Sequence, residues 1–400
     1  MIAGRGPGRL SGAHHCGRGL YLHVPFCSHR CRYCDFCSTV AGEVLRREYL
    51  EALRQEWVLR GESADGEPFS SIYVGGGTPS LLSCACWEYL LEFLLSLAVT
   101  PDCEWTIEAN PESLTREKLR LWRRAGVNRL SIGVQSLDER VLKFLGRRHT
   151  PHQALLAVEG GAAEGFASVG VDLMYGIPWQ SGSAVVRTVE GVLATGALAH
   201  VSAYELTLSP STPLGRHRSF LPLPSQESVV GQYECIRSRL TDAGFYQYEV
   251  SNYSLPGFAC RHNTSCWHHD PYMGLGMGAH SWLPPRRQAN TTDWDGYLGS
   301  LRRGELPVVF RETVTGERLE CEMLMLALRT TGMVEVARIE QATGRAFWGA
   351  GRRRLFASLV HEGILAGDEC AFGSTAAGVL LADGVAGRFF ESALQEHFGT

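Results

Sequence analysis

LYLHVPFCSHRCRYCDFC, Leu20–Cys37, runs from an apolar stretch into a segment that places four of the chain's thirteen cysteines within eleven positions. The apolar run LYLHV, stopped by Pro25, reads as a buried strand feeding a loop. Cys27, Cys31 and Cys34 then follow as C-x3-C-x2-C, with Cys37 beyond them. A zinc knuckle needs four N or S ligands in a closed tetrahedron, and Cys37 could be the fourth. Zinc sites usually pair two ligand turns across a longer insert, however, and this run has no second half. A [4Fe-4S] cluster also takes thiolates from close-set cysteines, and three of them leave one iron open to another ligand. The spacing favours the cluster over zinc.

Composition narrows the setting of those thiols. With 38 Lys and Arg against 42 Asp and Glu, the chain has no global attraction to nucleic acid or to a membrane surface. The start, MIAGRGPGRLSGAHHCGRG, carries basic residues but no apolar signal core, and no later apolar run reaches the roughly 18 residues of a spanning helix. These features predict a cytoplasmic protein with no nucleic-acid partner. In a reducing compartment, clustered cysteines serve metals or catalysis more often than disulfides.

Outward from the cysteine loop, strand-like and helical stretches alternate. LYLHV, SIYVG, EWTIEA, RLSIGVQ, SVGVDLMYG and HVSAYELTL read as strands, with EYLEALRQEWVLR, CWEYLLEFLLSL, REKLRLWRRAG, ERVLKFLG and HQALLAVEGGAAEG as helices between them. Such alternation implies parallel strands joined by right-handed crossovers, which a doubly wound sheet and a full or partial (β/α) barrel satisfy equally. The rhythm breaks after Pro210, where a Pro- and Ser-rich connection leads to a helix ending near Ala243, a strand-like FYQYEVSNYS and the Gly/His/Trp-rich RHNTSCWHHDPYMGLGMGAHSW. From about Glu305 the pattern turns helical and ends in an order similar to a winged-helix unit, read as a packing module rather than a DNA reader. The predicted divisions are a disordered extension at 1–18, the α/β core at 19–215, a connecting segment at 216–304 and the winged-helix-like unit at 305–400.

C-x3-C-x2-C on the loop after a first β/α strand resembles the signature of radical S-adenosylmethionine (SAM) enzymes. The wider set, YLHVPFC with CRYCDF, YVGGGTPSLL, IEANPE, RLSIGVQSLD, VDLMYGIP and YELTLSPSTPLGR, is similar in order, and over nearly the whole chain, to the oxygen-independent coproporphyrinogen III oxidase superfamily. RHNTSCWHHDPYMGLGMGAHS is similar to the H-N-x-x-Y-W motif and Gly-rich segment of its heme-chaperone (HemW-like) branch. His262, Asn263 and Trp267 match, whereas Cys266 stands where that motif has Tyr. The decarboxylating branch resembles C-x3-C-x2-C-x-C after a long leading segment; here Phe36 occupies the extra cysteine's place and twenty residues precede Tyr21.

The resemblance implies a partial (β/α)6 TIM-like barrel and a set of site residues. Cys27, Cys31 and Cys34 would each hold one iron, and SAM would chelate the fourth and be cleaved there to a 5′-deoxyadenosyl radical, the electron coming from a donor. Tyr21 and Tyr33 match positions lining the adenosine. Gly75, Gly76, Gly77 and Thr78 match the turn whose backbone approaches the SAM ammonium. Glu108 matches the acceptor for the ribose hydroxyls, Gln135 and Asp172 match further SAM contacts, and Arg147 suits the SAM carboxylate through paired hydrogen bonds. Strand C-termini are the functional face of such barrels, which favours the barrel over the doubly wound sheet. His262, Cys266 and His280 are candidate heme ligands, with His262 expected outside the barrel, and His268 and His269 are expected to face solvent. The functions implied are heme binding and transfer to an acceptor such as a membrane-bound respiratory protein, by a chain that could form a homodimer, or radical decarboxylation of coproporphyrinogen III. A SAM-dependent nucleic-acid-modifying enzyme would need a basic stripe that the sequence lacks.

Overall fold

The computed structural model describes residues 17–61 and 66–398. Its first half repeats strand and helix: β1 (Gly19–Val24), α1 (Glu43–Arg60), β2 (Phe69–Gly76), α2 (Cys84–Leu94), β3 (Val99–Ala109), α3 (Arg116–Arg124), β4 (Arg129–Gln135), α4 (Glu139–Leu145), α5 (Pro151–Ala163), β5 (Ser168–Tyr175), α6 (Gly182–Leu193) and β6 (His200–Glu205). The six strands are parallel and neighbour one another in sequence order. A doubly wound sheet reverses its direction of strand addition at a switch point, and this sheet does not. Right-handed crossovers added in one direction keep every helix on one face, which is the partial barrel.

Alternation along the strands sorts side chains by face. Leu20, Leu22 and Val24 of β1, Ile72 and Val74 of β2, and Leu130, Ile132 and Val134 of β4 are fully buried in the apolar core beneath the helices. The positions between them, Tyr21, His23, Tyr73, Glu108, Asp172 and Tyr204 among others, line the concave face. That lining is polar and aromatic, suited to a ligand rather than to a packed barrel core.

The segment expected to be a connection completes the sheet at both edges. α7 (Pro213–Arg216) straddles its start; it contains α8 (Gln226–Asp242), β7 (Tyr246–Gln247), β8 (Asn252–Ser254), α9 (Arg261–Trp267), β9 (Tyr272–Leu275), β10 (His280–Leu283), β11 (Arg286–Asn290) and α10 (Trp294–Arg302), and β12 (Val308–Thr313) lies past its end. β8 pairs antiparallel with β6, and β9 runs parallel beside β1, giving a twelve-stranded sheet. FYQYEVSNYS is therefore a hairpin rather than one strand. Strands of two to five residues are too short to show a period, which is why they escape a reading by pattern.

The helical pattern begins later than Glu305, after β12, with α11 (Gly316–Leu328). β13 (Val334–Glu335), α12 (Val336–Thr343), α13 (Ala350–His361), β14 (Leu365–Gly367), β15 (Ala371–Ser374) and α14 (Ala382–Phe398) follow. α11, α12 and α13 with a small sheet ordered β13-β15-β14 match the winged-helix-like expectation, and α14 is added after them. The unit has its own aromatic core around Phe347, Phe356, Phe372 and Phe389. It spans the open side of the barrel: Val250 N donates to Arg329 O (2.9 Å) at the β7–β8 hairpin, while Trp282 of β10 joins its core.

Of the expected extension, residues 1–16 lie outside the described residues. Gly17 and Arg18 belong to the folded body, where Ser70 Oγ donates to Gly17 O (2.7 Å) and Arg18 lies 5.4 Å from the Phe69 ring centre. His268 and His269 are not solvent-facing. Both are half-buried, and the His269 ring packs 4.4 Å from Trp282 with Nε2 at 3.4 Å from Glu322, because the C-terminal unit covers this segment.

Candidate functional site

The cysteine loop leaves the top of β1 and is pinned on both flanks. Cys27 N donates to Thr39 O (2.9 Å), Arg32 N donates to Leu145 O (3.1 Å) at the end of α4, and Leu214 N of α7 donates to Arg32 O (3.0 Å). Cys27, Cys31 and Cys34 are partly exposed, as is Cys37. β2 ends against this loop, and its glycines are required there. Gly76 has φ 112°, and a Cβ on it would stand 2.5 Å from the His23 ring; a Cβ on Gly77 would stand 2.8 Å from the Phe26 carbonyl oxygen. Gly77 N and Thr78 N instead donate to Val24 O and Phe26 O (2.9 and 2.8 Å), clamping strand to loop.

A chain of polar contacts crosses the barrel mouth from one cysteine to another. Cys27 Sγ lies 3.6 Å from Thr78 Oγ1, which accepts from Asn110 Nδ2 (2.9 Å). Asn110 Oδ1 accepts from Arg147 Nη2 (2.6 Å), and Arg147 Nη1 points at Cys31 Sγ (3.8 Å). Arg147 also donates to Gly133 O (2.7 Å), while Gly146 in the left-handed conformation closes α4. The guanidinium thus faces the barrel mouth and not the helix end. Burial opposes its charge, yet Tyr33, Cys31 and Glu112 around it raise its pKa above the ordinary value. Its Nε is buried without a protein partner, a donor left for a ligand.

Below this chain lie two carboxylates. Glu108 accepts from Tyr73 OH (2.9 Å) and Gly76 N (3.0 Å), and Asp172 accepts from Ser131 Oγ (3.0 Å). Burial, with Asp172 nearby, pushes the Glu108 carboxyl up to about 7; burial also raises that of Asp172. Gln135, at the β4 end where the register to β5 shifts, holds φ 63°, a conformation that non-glycine residues adopt mainly where surroundings impose it. Tyr33 leaves the loop to pack with Leu145, Met174 and Ile177.

Sequence reasoning missed two linking residues. His23 Nε2 meets Cys37 O (2.7 Å), and because a carbonyl only accepts, that nitrogen carries the proton. Burial holds the ring neutral, so Nδ1 accepts from Tyr21 OH (3.0 Å), joining the barrel lining to the cysteine loop. Asn110 was visible only as part of IEANPE, with no signal for its bridging role.

The heme candidates are not brought together. His262 is not outside the barrel: α9 closes the barrel floor, where His262 is buried with Nδ1 3.0 Å from Ser71 Oγ and its ring 5.1 Å from that of Tyr73. Burial drops its pKa to about 4. Glu104 of β3 accepts from Arg261 N (2.9 Å) and His262 N (3.0 Å), anchoring the start of α9. Cys266, half-exposed, has its thiol pushed up to about 12 by burial and Asp270. His280 is exposed at the top of β10.

Three thiols on one loop, a guanidinium with a free donor beside them and carboxylates beneath suit an iron-sulfur cluster with an amino-acid ligand on its open iron. Burial raises the thiols of Cys27 and Cys34, Cys34 to about 11, so metal binding releases protons. The partial barrel with this loop at its mouth defines a radical SAM protein, and the model of the Radical SAM superfamily matches residues 21–190. Heme chaperone HemW of Mycobacterium tuberculosis is 38% identical over 92% of this chain and 93% of its own, and that of Bacillus subtilis 33% over 93% and 99%. The chain belongs to the HemW family of the radical SAM superfamily. The solved structure of Escherichia coli coproporphyrinogen III oxidase (HemN) shares its fold, with TM-score 0.81 at 23% identity, over 94% of this chain and 91% of the other. Among the described residues no helix is long and apolar enough to cross a membrane.

Proposed function

We propose that the chain is a heme-binding chaperone that carries a [4Fe-4S] cluster and SAM at the barrel mouth and passes heme to acceptor proteins, membrane-bound respiratory enzymes among them. The observation that carries this reading is similarity to heme chaperones along almost the whole chain, with the three cysteines and Arg147 drawn to one place. Cys27, Cys31 and Cys34 would hold the cluster. Arg147, positioned by Asn110 and Gly133 O, would take the SAM carboxylate. Glu108 and Asp172 would accept from the ribose hydroxyls, with Gln135, Tyr21 and Tyr33 around the adenosine. When bound, this pair supplies reductive cleavage of the SAM carbon–sulfur bond. The free thiols suit a reducing compartment such as the cytoplasm.

For heme iron, the exposed imidazole of His280 is better placed than His262, which is enclosed on the barrel floor. The test is anaerobic reconstitution followed by heme titration and, separately, incubation with coproporphyrinogen III, SAM and dithionite. A saturable Soret band without protoporphyrinogen supports the chaperone. Protoporphyrinogen formation at turnover would replace it with the oxidase reading.

A further inference from the structure

We propose that His149 and Glu112 are positioning residues for SAM, which hold the strained turn at Gln135 in place, an inference that rests on the SAM reading above. Gln135 is the middle of a three-residue turn: Ser136 N donates to Val134 O (2.8 Å), and the φ of Gln135 is 63°. This is the rare, strained sense of the γ-turn, and a residue other than glycine stays in it only where its surroundings over-determine it. The register of β4 on β5 passes from Gly133 to Gln135 and skips Val134, which is the bulge the turn makes. A Cβ built on Gly133 would stand 3.0 Å from Gln135 Nε2 and 3.2 Å from Arg147 Nη2, so the amide and the guanidinium share the space over that glycine. The turn thereby sets the Gln135 amide beside the cation proposed for the SAM carboxylate.

His149 holds this turn from behind. Its side chain is fully buried and Nε2 lies 3.0 Å from Val134 O; a carbonyl only accepts, so Nε2 carries a proton. Nδ1 faces Glu112 Oε2 at 3.4 Å, and neither atom has another partner among the described residues. An imidazole lone pair and a carboxylate oxygen set face to face would repel, so a proton lies between them and the contact is charge-assisted. Burial opposes the charge of Glu112, but His149 and Arg147 hold its carboxyl below the ordinary range. The arrangement repeats the one around Arg147. Asn110 and Glu112, alternate residues after β3, meet Arg147 and His149, alternate residues after α4, and these end on consecutive β4 carbonyls, Gly133 O and Val134 O. The first crosslink aims a cation at the ligand. The second is enclosed, and acts on the ligand only through the turn.

The test uses the full chain with a reconstituted cluster and equilibrium dialysis of labelled SAM. His149→Leu should weaken SAM binding about tenfold, the effect of one lost buried hydrogen bond, with iron content and visible absorption unchanged. His149→Gln, whose amide can still donate to Val134 O, should recover most of that loss. Glu112→Ala keeps the ring and removes its partner, and should weaken binding about threefold; it carries the test if His149→Leu does not fold. In a Gln135→Gly background, where glycine adopts the turn without strain, neither change should lower SAM affinity further. His152→Ala, exposed in the first turn of α5, should match the parent. If the parent with a full cluster binds no SAM, the SAM reading falls and this inference with it. Where the parent binds SAM, three results would each overturn the positioning role alone: unchanged affinity in His149→Leu and Glu112→Ala, even with a lower melting temperature; a His149→Gln as weak as His149→Leu; or the same loss in the Gln135→Gly background.

Discussion

Replacing Glu108 by Gln should make the ligand-free chain more stable at alkaline pH and leave it little changed in acid. Its carboxyl has a folded pKa of about 7 against an ordinary 4.5, from burial first and Asp172 second. A raised carboxyl contributes stability that is whole below the unfolded pKa and is lost as pH rises through the folded one. At about 1.36 kcal/mol per pH unit, that interval corresponds to about 3 kcal/mol, fully lost above pH 8. The wild-type slope alone is not diagnostic. His200 and His262, with pKa values lowered by burial, add an opposite trend near pH 6.5, and Glu249, raised to about 7, adds a parallel one. The difference between Glu108→Gln and the parent removes these shared contributions. Urea unfolding of the cluster-free proteins between pH 5 and 8.5 should show that difference growing toward alkaline pH, mostly between pH 5 and 7.5. Titration with SAM after cluster assembly should show the reverse, since the ionised carboxylate is the stronger acceptor for ribose hydroxyls: parent affinity rises through pH 7 and that of Glu108→Gln stays flat. A stability difference independent of pH would refute an elevated Glu108 pKa, and parallel SAM profiles would remove Glu108 from the ribose.

Cys31→Ala should abolish the reconstituted cluster's visible absorption and iron content, whereas Cys37→Ala should keep both; equal loss would point to a site of four thiolates. Arg147→Ala should weaken SAM binding by at least tenfold, since its hydrogen bonds to a charged ligand are worth about 1.5–3 kcal/mol, with a small change in melting temperature. Glu56→Ala should lower stability by about 3–5 kcal/mol in urea unfolding, because Glu56 and Arg60 are a buried pair and Asn290, Tyr297 and Gly276 N also donate to that carboxylate.

The alternation of strand and helix was legible in the sequence because the strands are long enough to show their composition and β1 to β5 are each followed by a helix; it fitted a doubly wound sheet equally, and the barrel rested on the resemblance. The three cysteines and the glycine turn were legible as spacing. Sequence position alone cannot tell where the Arg147 guanidinium turns after a left-handed glycine; Gly146 ends α4, and Arg147 then donates to Gly133 O and Asn110 Oδ1 at the barrel mouth. His23 and Asn110 were silent because their work is done by single hydrogen bonds across strands. The segment after Pro210 was read worst. Its strands borrow their stability from β6 and β1, a contribution that no local pattern records.

The placement of His262 follows from the same cause and alters how the H-N-x-x-x-W segment is understood. A short helix can sit beneath a six-stranded partial barrel only if something holds its first N–H groups, and Glu104 does so from β3. Arg129, 4.0 Å from Glu104, donates to Phe258 O (2.9 Å) and ties the approach to that helix to the barrel as well. α9 thus closes the floor, at the end of the barrel opposite the cysteine loop. SAM bound as proposed would enter from the mouth, and His262, stacked on Tyr21 and tilted against Tyr73, would support the rings that line that pocket. Loss of that support should move SAM affinity before it moves heme affinity. Paired titrations of His262→Ala and His280→Ala read both, and a Soret band lost in His262→Ala with SAM binding intact would return the imidazole to the heme.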